Sequence, residues 1–193
     1  TGDAITCVAT NGPGTVFLYE SGEWAYTTDI PKSLRVILDQ RHRSLSKPTY
    51  VSLGSHGRYY IQFADRSAFW DGPNSLDLCL CSNETPIKTI AFGADESSYF
   101  IVFEDGCWKY EGDAIPEGLK SNLDERKDRD DLTCVTLGPD KEWFLQVKNG
   151  RMWWENVTEQ LDDVFDEMAE NGMKKVNFVD FGEYGSYFLS CEL

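Results

Sequence analysis

Histidine is nearly absent from this chain: 193 residues contain two, His42 and His56. Proton-transfer chemistry would therefore fall to carboxylates, and none of the 33 acidic residues is singled out by spacing. The sequence has no Gly-x-Ser-x-Gly elbow, His-Glu-x-x-His pair, dinucleotide fingerprint or phosphate-cradling glycine loop. Catalysis is accordingly not expected. It also lacks a run of about 18 apolar residues that could span a bilayer. Thr1-Gly2-Asp3 shows no basic-then-apolar leader pattern. The reading is a soluble chain inside the cell, in cytoplasm or nucleus, while Thr1 in place of an initiator Met leaves a longer parent protein open.

Positive charge is scarce too, with 18 Lys and Arg against 33 Asp and Glu and a net charge of −15. Such a field repels phosphate polymers and anionic membranes, which excludes nucleic acid and membrane surfaces as partners and favours basic or neutral ones. Six cysteines form no dense framework. Cys79-Leu80-Cys81 lacks a second pair at zinc spacing, so reduced thiols are expected, with no metal and no cofactor. Asn83-Glu84-Thr85 and Asn156-Val157-Thr158 are sequons that would matter only in a secreted protein.

What the chain does have is repetition. Short β-type runs ending in small residues recur at Cys7–Asn11, Tyr50–Gly54, Thr89–Gly93, Cys134–Gly138 and Phe178–Gly182. Their central residues Val8, Val51, Ile90, Val135 and Val179 lie 43, 39, 45 and 44 positions apart. After a polar turn, each run is followed by an aromatic-rich strand: Thr15–Tyr19, Tyr59–Phe63, Tyr99–Phe103, Trp143–Val147 and Tyr187–Cys191.

Hairpin turns then follow at Glu20–Gly22, Glu104–Gly106 and Lys148–Gly150, read here as type I′. Ala64-Asp65-Arg66 stands in the same place without glycine, so that turn should be strained or different. A third strand carries Tyr26, Trp70, Tyr110 or Trp154, with Trp24, Ala68, Trp108 or Met152 two residues earlier on the same face, which reads as core. The period then lengthens toward 3.6 after Pro31, Pro73 and Pro116, placed at the first helical position, and after Val157. The acidic face of the fourth helix, around Asp162, Asp163 and Asp166, reads as solvated.

The fold expected is mainly β with short helices, one repeat domain of units spanning about 4–47, 48–86, 87–131, 132–175 and a partial 176–193. A unit that cannot bury its own apolar face must stack on neighbours. In period, in the aromatic closing the third strand and in Phe69-Trp70-Asp71, the chain resembles β-propeller repeat proteins of the WD40 type. That resemblance implies a closed ring, here of five three-strand-plus-helix units, although WD40 units have four strands and usually a Gly-His pair, of which only Ser55-His56-Gly57 is a reminder. An open β/α solenoid is the alternative.

Function should sit where the copies differ. The first turns vary freely, and they carry His56, Arg58 and Tyr184; on the third strand, Ala25, Phe69, Lys109 and Trp153 oppose the regular aromatics. The candidate partner-binding residues are thus Phe69, Trp153, Lys109, His56, Arg58 and Tyr184, though for Phe69 and Trp153 packing on the neighbouring unit or helix is the favoured reading. The leading reading is a non-enzymatic interaction module for a protein partner, using the turn face or the open edge of the truncated last unit, an edge that also invites oligomerisation. A propeller lectin stacking sugars on its aromatics comes second, and a carboxylate-dependent glycosidase third.

Overall fold

A computed structural model describes residues 3–40, 46–170 and 175–192, so the basic connector around His42 lies largely outside the described residues. Four copies of strand, strand, strand, helix follow one another. The first holds β1 (Ile5–Thr10), β2 (Thr15–Tyr19), β3 (Trp24–Tyr26) and α1 (Lys32–Gln40). The second holds β4 (Pro48–Leu53), β5 (Tyr59–Phe63), β6 (Ala68–Asp71) and α2 (Asn74–Ser82). In the third are β7 (Ile87–Phe92), β8 (Tyr99–Phe103), β9 (Trp108–Glu111) and α3 (Glu117–Asp124). The fourth comprises β10 (Leu132–Leu137), β11 (Trp143–Val147), β12 (Met152–Glu155) and α4 (Glu159–Glu170), and the fifth only β13 (Lys175–Phe181) and β14 (Tyr187–Glu192). Each unit is its own antiparallel sheet, four of three strands and one of two. Repeated three-stranded antiparallel sheets of this kind fit a propeller-like repeat.

The hairpins between second and third strands are not type I′. In the first, Gly22 N–H donates to Tyr19 C=O and Tyr19 N–H to Glu23 C=O, and Gly22 alone takes a positive φ, of 80°. This is a three-residue loop, a type I turn closed by a glycine bulge. Gly106 and Gly150 repeat it. At Ala64–Arg66 the same bonds form around Arg66 at φ 68°, so the turn is strained rather than different. The prolines also shift by one place: Pro73 and Pro116 have extended backbones and precede the helices as N-caps, their carbonyls accepting the first helical bonds.

Alternation decides which neighbour each face meets. The face of unit 1 carrying Cys7, Ala9, Val16 and Leu18, with Leu34 and Leu38 of α1, buries itself against Val51, Leu53, Tyr59, Ile61 and Phe63 of unit 2. The same arrangement recurs between units 2 and 3, 3 and 4, and 4 and 5. A helix thus fills each of these interfaces and covers the second strand of the following unit. The regular third-strand aromatics, expected in the core, are half-buried or, at Tyr110, exposed, because the third strand is the outermost of each sheet. Their polar tips hold the helices: Trp70 Nε1 donates to Asp77 at 2.5 Å, Trp154 Nε1 to Asp162 at 2.6 Å, and Tyr26 to Asp39.

The five first strands meet at the centre. β1 contacts β4, β4 contacts β7, β7 contacts β10, β10 contacts β13, and β13 contacts β1. Because the left-handed conformation costs a non-glycine residue about 1–2 kcal/mol, part of it returned by glycine's greater unfolded-state entropy, Arg66→Gly should raise the melting temperature by about 2–4 °C, read by circular dichroism, and the reverse change Gly150→Arg should lower it.

Candidate functional site

Every first strand breaks register at one residue, which leaves Thr6, Thr49, Lys88, Thr133 and Asn177 as bulges. Bulges bend a strand and re-aim its side chains. Three of them are threonines whose hydroxyls donate to the carbonyls of Leu18, Gln62 and Gln146 on the paired strand. All five bulge residues line a central cavity of about 330 Å³ formed by the first strands of the five units. Sequence reasoning missed these bulge residues; their signal was a polar residue two places before each central aliphatic.

Beyond the bulges, side chains reach from one unit to the unpaired inner edge of the next first strand. Cys7 Sγ donates to Val51 O at 3.4 Å. Tyr50 Oη donates to Ile90 O at 2.9 Å and accepts from Ile90 N–H at 3.0 Å. Thr136 Oγ1 donates to Val179 O at 3.0 Å, and Gln146, its amide oriented to suit both, reaches the Val176 N–H and C=O. Thr89 is the exception, its buried hydroxyl having no partner among the described residues.

Asp180 makes the corresponding contact between the fifth unit and the first, accepting from Thr10 N–H at 2.7 Å. The little surface it shows opens into the central cavity. Desolvation raises its pKa to about 8, against the opposing pull of the Thr10 and Phe181 backbone bonds. Burial likewise raises the Cys134 thiol to about 11, drives Tyr50 well above its ordinary value, and lifts Cys7 to about 12. These groups stay neutral near pH 7, and the basic side chains on the cavity wall are those of Lys88 and Lys148.

The first turns gather at one end, around a hollow of about 40 Å³ lined by residues of all five units. Gly54–Arg58 and Gly182–Ser186 fold alike, each a single 3-10 turn with two successive positive φ values, at His56 (59°) and Gly57, and at Tyr184 (58°) and Gly185. His56 Nδ1 lies 3.3 Å from Glu96 of the next unit. Tyr184 is 97% exposed, the most exposed large apolar side chain among the described residues. Around the same rim stand the exposed Glu96, Asp140, Lys141 and Glu183.

The other candidates separate. Arg58 belongs to the interior, contrary to its expected surface role: it is 4% exposed and donates to Ser55 O, Ser98 O, Gly93 O and Ser55 Oγ, with Phe92 under its guanidinium. Five donors held in one plane suit this clamp between units 2 and 3, and the sequence offered no sign that Arg58 would turn inward. Trp153 is half-buried, with Arg126 of unit 3 at 4.2 Å and Arg151 at 5.1 Å from its ring centre. Phe69 is 40% exposed and meets Phe63 edge-on. Lys109 is exposed on β9, away from the turn end. Only His56 and Tyr184 share the rim.

No family model matches the chain, and no curated protein matches its sequence. Among solved structures, the chain is similar to one described as "YCF48 bound to D1 peptide", with a TM-score of 0.31 and 10% identity over 80% of this chain. It spans about half of that structure's chain, 51%. At this distance nothing about fold or function is carried over. No helix among the described residues is long and apolar enough to cross a membrane, and the six cysteines are free.

Two outcomes follow from the geometry. Asp180 holds its proton in the fold up to about pH 8, whereas an unfolded aspartate loses it at about 3.9. The folded state therefore binds more protons between these values, and stability falls as pH rises through that window. Asp180→Asn should flatten this dependence, raising the melting temperature at pH 8 and not at pH 4. Arg58→Ala takes the guanidinium donor from the buried Gly93 carbonyl, while the Ser98 carbonyl keeps the Gly93 N–H, and should cost about 2 kcal/mol in urea unfolding, whereas His56→Ala should leave the midpoint nearly unchanged.

Proposed function

We propose that the chain is a five-unit propeller-like ring, closed by contact rather than by a shared sheet, that serves as a non-enzymatic module holding a protein partner on its turn-bearing rim. Closure is supported by the β13 contact with β1, by the Asp180 to Thr10 bond, and by a central cavity to which all five first strands contribute. These contacts favour a ring over an open solenoid.

The observation that carries the binding site is Tyr184. A left-handed tyrosine is strained, and such strain persists where the surroundings hold it, often at binding sites. Here it presents an almost fully exposed aromatic beside the hollow where the turns converge. His56 repeats the conformation two units away. Their rim is bordered, among the described residues, by Glu96, Asp140 and Glu183 against the single cation Lys141, on a chain of net charge −15, which suits a basic segment and gives it an accelerated approach. A sugar-stacking reading has less support, since the Trp70 and Trp154 rings are tethered through their indole nitrogens to Asp77 and Asp162. Free thiols accord with a reducing compartment inside the cell.

Selection of a random peptide library against the folded chain should yield binders enriched in Lys and Arg. Tyr184→Ala and His56→Ala should each weaken those binders about tenfold without lowering the melting temperature. Binders unaffected by both changes would place the site elsewhere.

A further inference from the structure

One position breaks the rule of the third strand. Two residues before the regular aromatic stand Trp24, Trp108 and Met152 in units 1, 3 and 4, and each packs against the core between its own unit and the next. Unit 2 has Ala68 there. In unit 3 the large residue completes a set of three rings: Trp108, Phe100 and Tyr110 lie within 22° of parallel, with ring centres 5.8 to 5.9 Å apart. Two members of such a set exist in unit 2, where Tyr60 and Trp70 pair across β5 and β6 as Phe100 and Tyr110 do across β8 and β9. Ala68 supplies no third.

The space is kept open. Ala68 lines a pocket of about 310 Å³ between units 2 and 3, a volume at the lower end of the range for small-molecule sites. Tyr60 and Trp70 of unit 2, Leu80 of α2, and Ile87 and Phe103 of unit 3 make its apolar wall. A hollow of this size beside a packed core forfeits the contacts that a larger side chain would have made. Tyr60 gives the pocket a polar handle. It is 3% exposed, burial alone raises its hydroxyl to about 12, and that hydroxyl has no hydrogen-bond partner among the described residues. A buried hydroxyl in that condition is costly and rare. Exposed Arg66 and Glu84 on the same wall are opposite in charge, so neither sign of ligand is favoured.

We infer that this pocket binds a free, uncharged, flat aromatic molecule of about the size of indole. Its ring takes the place beside Tyr60 and Trp70 that the Trp108 ring takes beside Phe100 and Tyr110, and a nitrogen or oxygen at its edge bonds the Tyr60 hydroxyl. The site lies between two complete units. It therefore depends neither on how units 5 and 1 meet nor on the rim that bears Tyr184.

Indole itself is the probe. Isothermal titration calorimetry against the 193-residue chain should show saturable binding to one site with a Kd of roughly 0.1 mM. Ala68→Trp should abolish it and raise the melting temperature, because the new ring then lies where indole would. Ala68→Met, which places the residue of unit 4 there, should weaken it at least tenfold and is the arm to read if Ala68→Trp does not fold. Tyr60→Phe should weaken it about tenfold with the melting temperature unchanged, since the hydroxyl bonds nothing in the protein that the change would break. Tyr184→Ala should leave it as it was. Absence of saturable binding to folded chain at millimolar indole overturns the inference, as does binding that persists at full strength in folded Ala68→Met or in Tyr60→Phe. Binding lost in Tyr184→Ala would put indole on the rim and overturn it equally.

Discussion

Each sheet leaves the inner edge of its first strand unpaired, and everything else in this molecule is arranged around that row of backbone groups. An open strand edge invites pairing with any other chain. Here it is turned toward the centre and met by side chains of the adjacent unit: the Cys7 thiol on Val51, the Tyr50 hydroxyl on Ile90, the Thr136 hydroxyl on Val179, and the Asp180 carboxyl on Thr10. Different residues perform one task. The units are therefore joined by burial and by side-chain bonds rather than by a continuous ladder, and each keeps its own sheet.

That arrangement explains why the repeat is strict in some places and loose in others. A strand whose two faces meet two different neighbours is buried on both, so β8 is apolar throughout and the one polar residue of β11, Gln146, is bonded to the Val176 backbone. The bulge is equally strict, because it bends each first strand away from its partner at the same point and turns one polar residue toward the cavity. The turns bear no such load, so they can hold a clamp at Arg58, an exposed ring at Tyr184, or the aspartate-capped loop in which Asp95 accepts from the Ser97 and Ser98 N–H groups.

Much of this was legible beforehand. The period, the second strands and the helices follow from alternation, aromatic spacing and proline placement, each a local property. Tyr184 and His56 stood out because the turns vary, and the structure seats both on one rim. Other features were not local. Arg58 looks like any surface cation until Ser98 and Gly93 of the next unit take its donors. Phe69 and Trp153 share a strand position, yet Trp153 is covered by Arg126 from the preceding connector while Phe69 remains partly open. The glycines after the hairpins were rightly read as needing positive φ, but the turn type depends on the number of residues the strands leave between them.

By itself the sequence determined the unit: three strands and a helix, written four times, with a fifth begun. It determined the charge as well, and with it the sign of the field. Only the tertiary structure decided which polar residues face inward, how the fifth unit meets the first, and why Asp180 keeps its proton. The reason is physical. A strand's alternation says that two faces exist and not what will lie against them, and a carboxyl group's pKa belongs to the dielectric built around it by residues 170 positions away in the chain.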